Sequence, residues 1–253
     1  MAVTEVENKI RALFELRNIY TMLEEAISNQ KELQEGIRNL HRVQEAIYHL
    51  DQYLEETNDP VSQELDALWA NITRSLEYCN IPMEMHASYC SEIRMYQDHE
   101  LLLREGNSLI SMDPFHFYII KSCDVKLMRK LLYFWYPVLI KSCKESDWIL
   151  FDFYAEMYDD LDDIFEDMET NNGNYFLSVV SIVGLEEACC MYSNWIEEAP
   201  LKLMATKLND SKFIEEITYK MKESLLELIG TRRQLMEKRS FPLGNPGQRL
   251  NYK

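Results

Sequence analysis

Apolar residues recur along most of the chain at alternating steps of three and four. Leu13, Leu16, Tyr20, Leu23 and Ile27 form one stripe, and after Ser28-Asn29-Gln30 a second runs through Leu33, Ile37, Leu40, Val43, Ile47, Leu50 and Leu54. These steps hold side chains on one face of an α-helix. Residues 1–57 therefore predict a long antiparallel hairpin, two helices of about 25 residues joined by a tight turn. Asn29 is placed to cap the second arm, with Glu32 three residues on in a box-like position. Thr57-Asn58-Asp59-Pro60 stops that arm. Further helices are predicted over 61–79, 83–110, 124–143, 145–170, 175–198 and 209–238, with breaks at Asn80-Ile81-Pro82, Asp113-Pro114, Asn171-Asn172-Gly173-Asn174 and Pro200. Asp113-Pro114 opens a short aromatic segment, FHFYIIKSC, and 175–198 is the most apolar helix, expected at the bundle centre.

This pattern predicts an all-α, multi-helix bundle with a long N-terminal antiparallel helical hairpin. It divides into an arm over 1–57, a bundle over 58–238 continuous with it as one domain, and a basic irregular tail over 239–253. Only 7 Gly and 7 Pro among 253 residues leave little room for a turn-rich β fold. The hydrophobic share of 47% against 27% charged residues is that of a globular chain.

The net charge of −17 counts against nucleic acid, whose phosphates need a cationic surface. That charge is unevenly placed. Residues 145–169 hold eleven acids and no Lys or Arg, whereas 231–253 hold six basic residues against Glu237 alone. The longest apolar run, LLYFWYPVLI over 131–140, is half a bilayer span and contains Pro137, so no membrane span is expected. The opening residues are charged and helical, without the pattern of a secretory signal. The six Cys show no CxxC spacing and two are adjacent, which suits buried thiols in a reducing cytoplasm better than a disulfide frame or a zinc site.

Within the acidic run lies DDLDD, with seven carboxylates over 159–169. Turned at about 100° per residue from Leu150, the apolar Phe153, Tyr154, Met157, Leu161, Ile164, Phe165 and Met168 fall within about 60° of one line. Asp152, Asp159, Asp162, Asp163 and Glu166 fall opposite, between about 120° and 220°, with Asp160 and Asp167 on a flank. The run reads as the wet face of an amphipathic helix whose like charges repel at i,i+4. It calls for a cation, a basic segment or another protein. DDLDD also resembles the DDxxD motif that holds magnesium and diphosphate in trans-isoprenoid synthases. Together with Asp51 and Glu55 in HLDQYLEE, it is similar to the paired acidic helices of squalene and phytoene synthases. That resemblance implies a magnesium site at Asp51, Glu55, Asp159, Asp160 and Asp163, with Lys121, Arg129 and Lys130 as diphosphate contacts. Asp51 stands out because it lies about 40° from Ile47, inside an apolar stripe.

Other chemistries leave weaker traces. RMYQDH, Arg94 to His99, fits the Rx4–6H spacing of HEPN-type ribonucleases, a spacing that chance supplies in a chain of this composition. Glu-x-x-His pairs for a di-iron site, a P-loop, GxGxxG and nucleophile elbows are absent. The aromatic stretch FWY at Phe134, Trp135 and Tyr136, interleaved upstream with lysines, reads as core or as a partner groove, since aromatics and Arg concentrate in interface hot spots. The sequence thus predicts a non-catalytic interaction module (a scaffold, adaptor or regulatory subunit) without a cofactor. Its expected partner is a protein or a second copy of the chain, self-associating through residues 4–57, with contacts at Phe134, Trp135, Tyr136, Arg232 and Arg233. The magnesium-dependent isoprenoid-diphosphate enzyme is the alternative.

Overall fold

Asn29 begins a helix as its position predicts: its side chain accepts from the Lys31 and Glu32 amides at 2.9 and 3.2 Å. The computed structural model describes residues 5–57, 62–104, 112–170, 173–203 and 211–238. Among these residues the chain is all-α, a helical bundle without strands. In order the helices are α1 (Glu5–Leu16), α2 (Ile19–Ala26), α3 (Gln30–Glu56), α4 (Ser62–Tyr78), α5 (Met83–Arg104), α6 (Pro114–Lys121), α7 (Cys123–Trp135) and α8 (Leu139–Ser142). They continue as α9 (Ile149–Asp162), α10 (Ile164–Thr170), α11 (Tyr175–Val183), α12 (Leu185–Leu203) and α13 (Lys212–Lys238).

The helices group into two units, Met1–Glu105 with Ile120–Glu145, and Gly106–Ile119 with Ser146–Lys253. In the first, α3 packs against α1, α2, α4, α5 and α7, and α5 packs against α7. Its core includes Leu40, Val43, Ile72, Leu76, Leu131 and Leu132, each fully buried. In the second, α9 packs against α11, α12 and α13. Enclosure on several sides explains why α9 buries most of its residues, acids included.

Several predicted helices are interrupted, each for an identifiable reason. The first arm divides at Asn18, whose φ of 59° places it in the left-handed region. The break shifts the helical phase: α1 buries Ile10 and Phe14, while the predicted Leu13 and Leu16 are only half-buried. Pro137 divides 124–143, because the residue before a proline is driven out of the α region, and Tyr136 sits at φ −129°, ψ 74°. Gly184, at φ 88°, separates α11 from α12 in a conformation that favours glycine. Pro200, by contrast, does not restart the chain but lies inside α12. A proline there leaves the carbonyl four residues earlier without its helical donor. The Tyr154 hydroxyl supplies one, donating to the Ile196 carbonyl at 2.9 Å.

All six cysteines are free thiols, five of them buried and Cys190 exposed. Burial pushes the Cys79 and Cys189 thiols up to about 11. Among the described residues no helix is long and apolar enough to cross a membrane.

Candidate functional site

The acidic segment is not one amphipathic helix. It forms α9, breaks at Asp163 and resumes as α10. Asp152, predicted on the wet face, is buried at 2% exposure. Asp160, placed by the sequence on a flank, is buried at 1% inside an aromatic shell. One of its carboxylate oxygens accepts from the Tyr118 hydroxyl at 2.7 Å and from the Tyr175 backbone N–H at 2.9 Å. The Tyr118 and Tyr192 hydroxyls are themselves joined by a short hydrogen bond. Burial, reinforced by the Asp160 carboxylate, drives both hydroxyls well above the ordinary tyrosine range.

Tyr175 is the first residue of α11, so its N–H is one of those with no partner inside the helix. A carboxylate at that end also meets the positive pole of the helix dipole. Asn174, expected to help end the acidic helix, instead caps α11. Its side-chain oxygen accepts from the Leu177 N–H at 3.0 Å, while its amide donates to the Asp160 carbonyl at 2.6 Å and the Asp167 carboxylate at 2.7 Å. Asp160 and Asn174 together lock the α9 end to the α11 start.

Asp162 finds its cation in α13. Arg232 donates to the Asp162 carbonyl at 2.9 Å and pairs with the Asp162 carboxylate. A cation is favoured at this helix C-terminus, where carbonyls are left over. Arg233 pairs with Glu237 at 3.0 Å and Glu186 at 3.4 Å. Both predicted interface arginines thus have partners within their own unit.

Asp159 is half-buried and Asp163 exposed. Partial removal of its carboxyl from water, followed by the charges of Asp167, Asp159, Asp162 and Glu166, pushes Asp163 up to about 6. Asp51 is half-buried on α3 in the first unit, and the side chain of Glu55 lies outside the described residues. Among the described residues no three His, Cys, Asp or Glu side chains gather as a metal-ligating group.

The basic residues proposed for diphosphate differ in their surroundings. Arg129 is buried and donates to the Arg17 carbonyl at 3.3 Å. Lys130 and Lys126 grip the two oxygens of Glu92 at 2.9 and 2.8 Å, and Lys121 is half-buried on α6. Burial acts to raise the Glu92 carboxyl, but the two lysines outweigh it and hold the group below its usual range. Arg94 of RMYQDH lies 3.9 Å over the Trp69 ring.

The FWY stretch divides three ways. The Trp135 indole donates to the Cys79 carbonyl at 3.0 Å, and the Tyr136 hydroxyl donates to Glu32 at 3.4 Å. Phe134 turns outward and borders a groove of about 530 Å³ in the first unit, where Tyr89 of α5, Tyr133 of α7 and Ile140 of α8 also line the wall. Ser88, Lys130, Lys144 and Glu145 complete the lining. Phe134, Val138 and Ile140 are exposed at 37%, 60% and 47%, three large apolar side chains within seven residues. Sequence reasoning missed Tyr89, Val138 and Ile140. The available signal was Pro137, which breaks the helix and leaves the apolar residues after it outside the core pattern.

No protein family, curated protein or solved structure matches this chain.

Two outcomes separate a structural from a metal-binding role for the acidic segment. Asp160→Ala should lower stability by about 3 kcal/mol in chemical denaturation, because it orphans buried donors. Asp159→Asn, at a half-buried position, should cost clearly less. Equal losses at both positions would contradict this division. For Asp163, the folded value near 6 lies above the ordinary 3.8, so between those values the folded chain holds a proton that the unfolded chain has released. Its contribution to stability therefore falls as pH rises through that window. Asp163→Asn should raise the unfolding midpoint at pH 7 and make no difference below about pH 4. A gain that persists at low pH would contradict the assignment.

Proposed function

We propose that this chain is a non-catalytic protein-interaction module, a scaffold, adaptor or regulatory subunit that engages its partner through the groove beside Phe134. The observation that carries the reading is a pair of exposed apolar side chains, Phe134 and Ile140, lining an aromatic-walled groove, with Val138 exposed between them in sequence. Clustered apolar side chains beside a polar rim are the signature of an interaction surface, whereas scattered ones are ordinary. The most enzyme-like motif, DDLDD, gives its buried carboxylate, Asp160, to the start of α11 and to Tyr118. Residues 5–57, read as the antiparallel hairpin, act in this account as the frame behind the groove. The apolar side chains of that arm, Phe14, Leu23, Leu40, Val43 and Leu50 among them, are already buried within the chain. A cytoplasmic setting suits six free thiols, five of them buried.

Site-specific photo-cross-linking tests this reading. With p-benzoylphenylalanine introduced at position 134 or 140, irradiation in cells should give a discrete protein adduct. The same group at the exposed position 219 should give none. Adducts equally strong at 219, or none at 134 and 140, would contradict the proposal. Phe134→Ala should weaken the interaction about 30-fold, the loss typical of an aromatic anchor.

A further inference from the structure

A second cavity in the first unit, of about 570 Å³, is lined by Thr73 of α4 and otherwise by a row along α5 that includes Met83, His86 and Cys90. We infer that these three side chains form a binding site for a soft metal ion of the copper(I) class. His86 is buried at 7% exposure, and its Nε2 lies 2.9 Å from the Ile81 carbonyl. A carbonyl only accepts, so in the neutral ring Nε2 carries the proton and Nδ1 the lone pair. That Nδ1 is buried and has no hydrogen-bond partner among the described residues. The Ile81 bond secures the turn ahead of α5 with or without a ligand, but nothing in that role uses the bare nitrogen. Leaving it buried and unmatched costs free energy. A ring N–H fixed on a backbone carbonyl, with the opposite nitrogen bare, is the arrangement that metal-ligating histidines adopt.

The other two donors stand one turn to either side. Cys90 follows His86 by four residues and Met83 precedes it by three, spacings that make side chains neighbours on one helix face, with about 5–6 Å between Cβ atoms. Cys90 is a buried, free thiol, whereas Met83 is exposed at 75%, so packing does not hold its thioether away from the pair. One imidazole, one thiol and one thioether make a soft set. Zinc takes four nitrogen, thiolate or carboxylate donors, and magnesium and calcium take oxygen, whereas thiolate and thioether sulfur select copper(I). Asp98, which also lines the cavity, lies two turns beyond Cys90, about 12 Å along the helix. Burial pushes the Cys90 thiol up, against the opposing charge of Arg94, so the sulfur keeps its proton until a thiophilic ion displaces it. On binding, the S–H bond breaks, the proton leaves to solvent and the sulfur lone pair goes to the metal, whose oxidation state is unchanged.

Competition for copper(I) between a chromogenic chelator and the full chain, under anaerobic and reducing conditions, tests the site. The chain carries Cys190→Ser, which removes the exposed thiol. It should retain one ion, and adding Cys90→Ser should weaken retention about tenfold or more, with a smaller loss for Met83→Leu. Imidazole nitrogen NMR supplies a readout that needs no further substitution to fold and that a purely structural His86 would not move. Copper(I) should shift the His86 Nδ1 resonance far more than that of Nε2, which stays on the Ile81 carbonyl. Failure of the Cys190→Ser chain to retain the ion would overturn the assignment. Retention unchanged by Cys90→Ser or by Met83→Leu, or an Nδ1 resonance that copper(I) leaves in place, would do the same.

Discussion

A carboxylate sealed from water is tolerated only when its lone pairs are matched by donors, since an uncompensated buried charge costs several kcal/mol. The second unit is organised around one such group. Asp160 accepts from a tyrosine of α6 and from the first backbone N–H of α11, and the linked Tyr192 brings in α12. Around it Tyr118 packs edge-on to Phe153 at 5.6 Å and to Tyr192 at 6.5 Å. The single carboxylate thus specifies how four helices meet. Hydrogen bonds of this kind fix direction and register in a way that the apolar contacts around them do not.

That commitment decides how the acidic segment is to be read. A run of eleven acids without a basic residue is self-repelling, and the chain relieves it by several means. Asp160 turns inward onto hydroxyl and amide donors, Asp167 receives the Asn174 amide, and Asp162 receives Arg232 from α13. Asp163, at the break between α9 and α10, is raised by desolvation and then by the like charges around it. For Asp162 the cation comes from α13 of the same chain. Exposed apolar side chains instead cluster in the first unit, where Pro137 ends α7 and leaves Val138 and Ile140 turned outward.

The all-α fold class was legible because breakers are few and the three-four stripe is long. Asn29 as a cap and Pro137 as a break follow from local chemistry alone. The phase of the first arm was misread, since a left-handed Asn18 is not visible in a pattern of apolar residues. Pro200 was misread because its remedy, the Tyr154 hydroxyl, lies 42 residues away. Asp160 was misplaced for a related reason: a helical wheel assumes one buried face, and α9 is enclosed by α11, α12 and α13. Its partner Tyr118 also lies 42 residues away, a pairing that no local pattern encodes. Phe134 is exposed, whereas Trp135 and Tyr136, equally aromatic, are held by backbone and side-chain partners that only the fold reveals.

The central claim, that Asp160 holds the start of α11, is tested most directly by hydrogen exchange at the Tyr175 amide. A first-turn amide has no partner within its helix and ordinarily exchanges readily. Bonded to a buried carboxylate at 2.9 Å, the Tyr175 amide should be protected to the same degree as amides in the middle of α11. Exchange at the rate of an unstructured peptide, with the middle of α11 protected, would contradict the account.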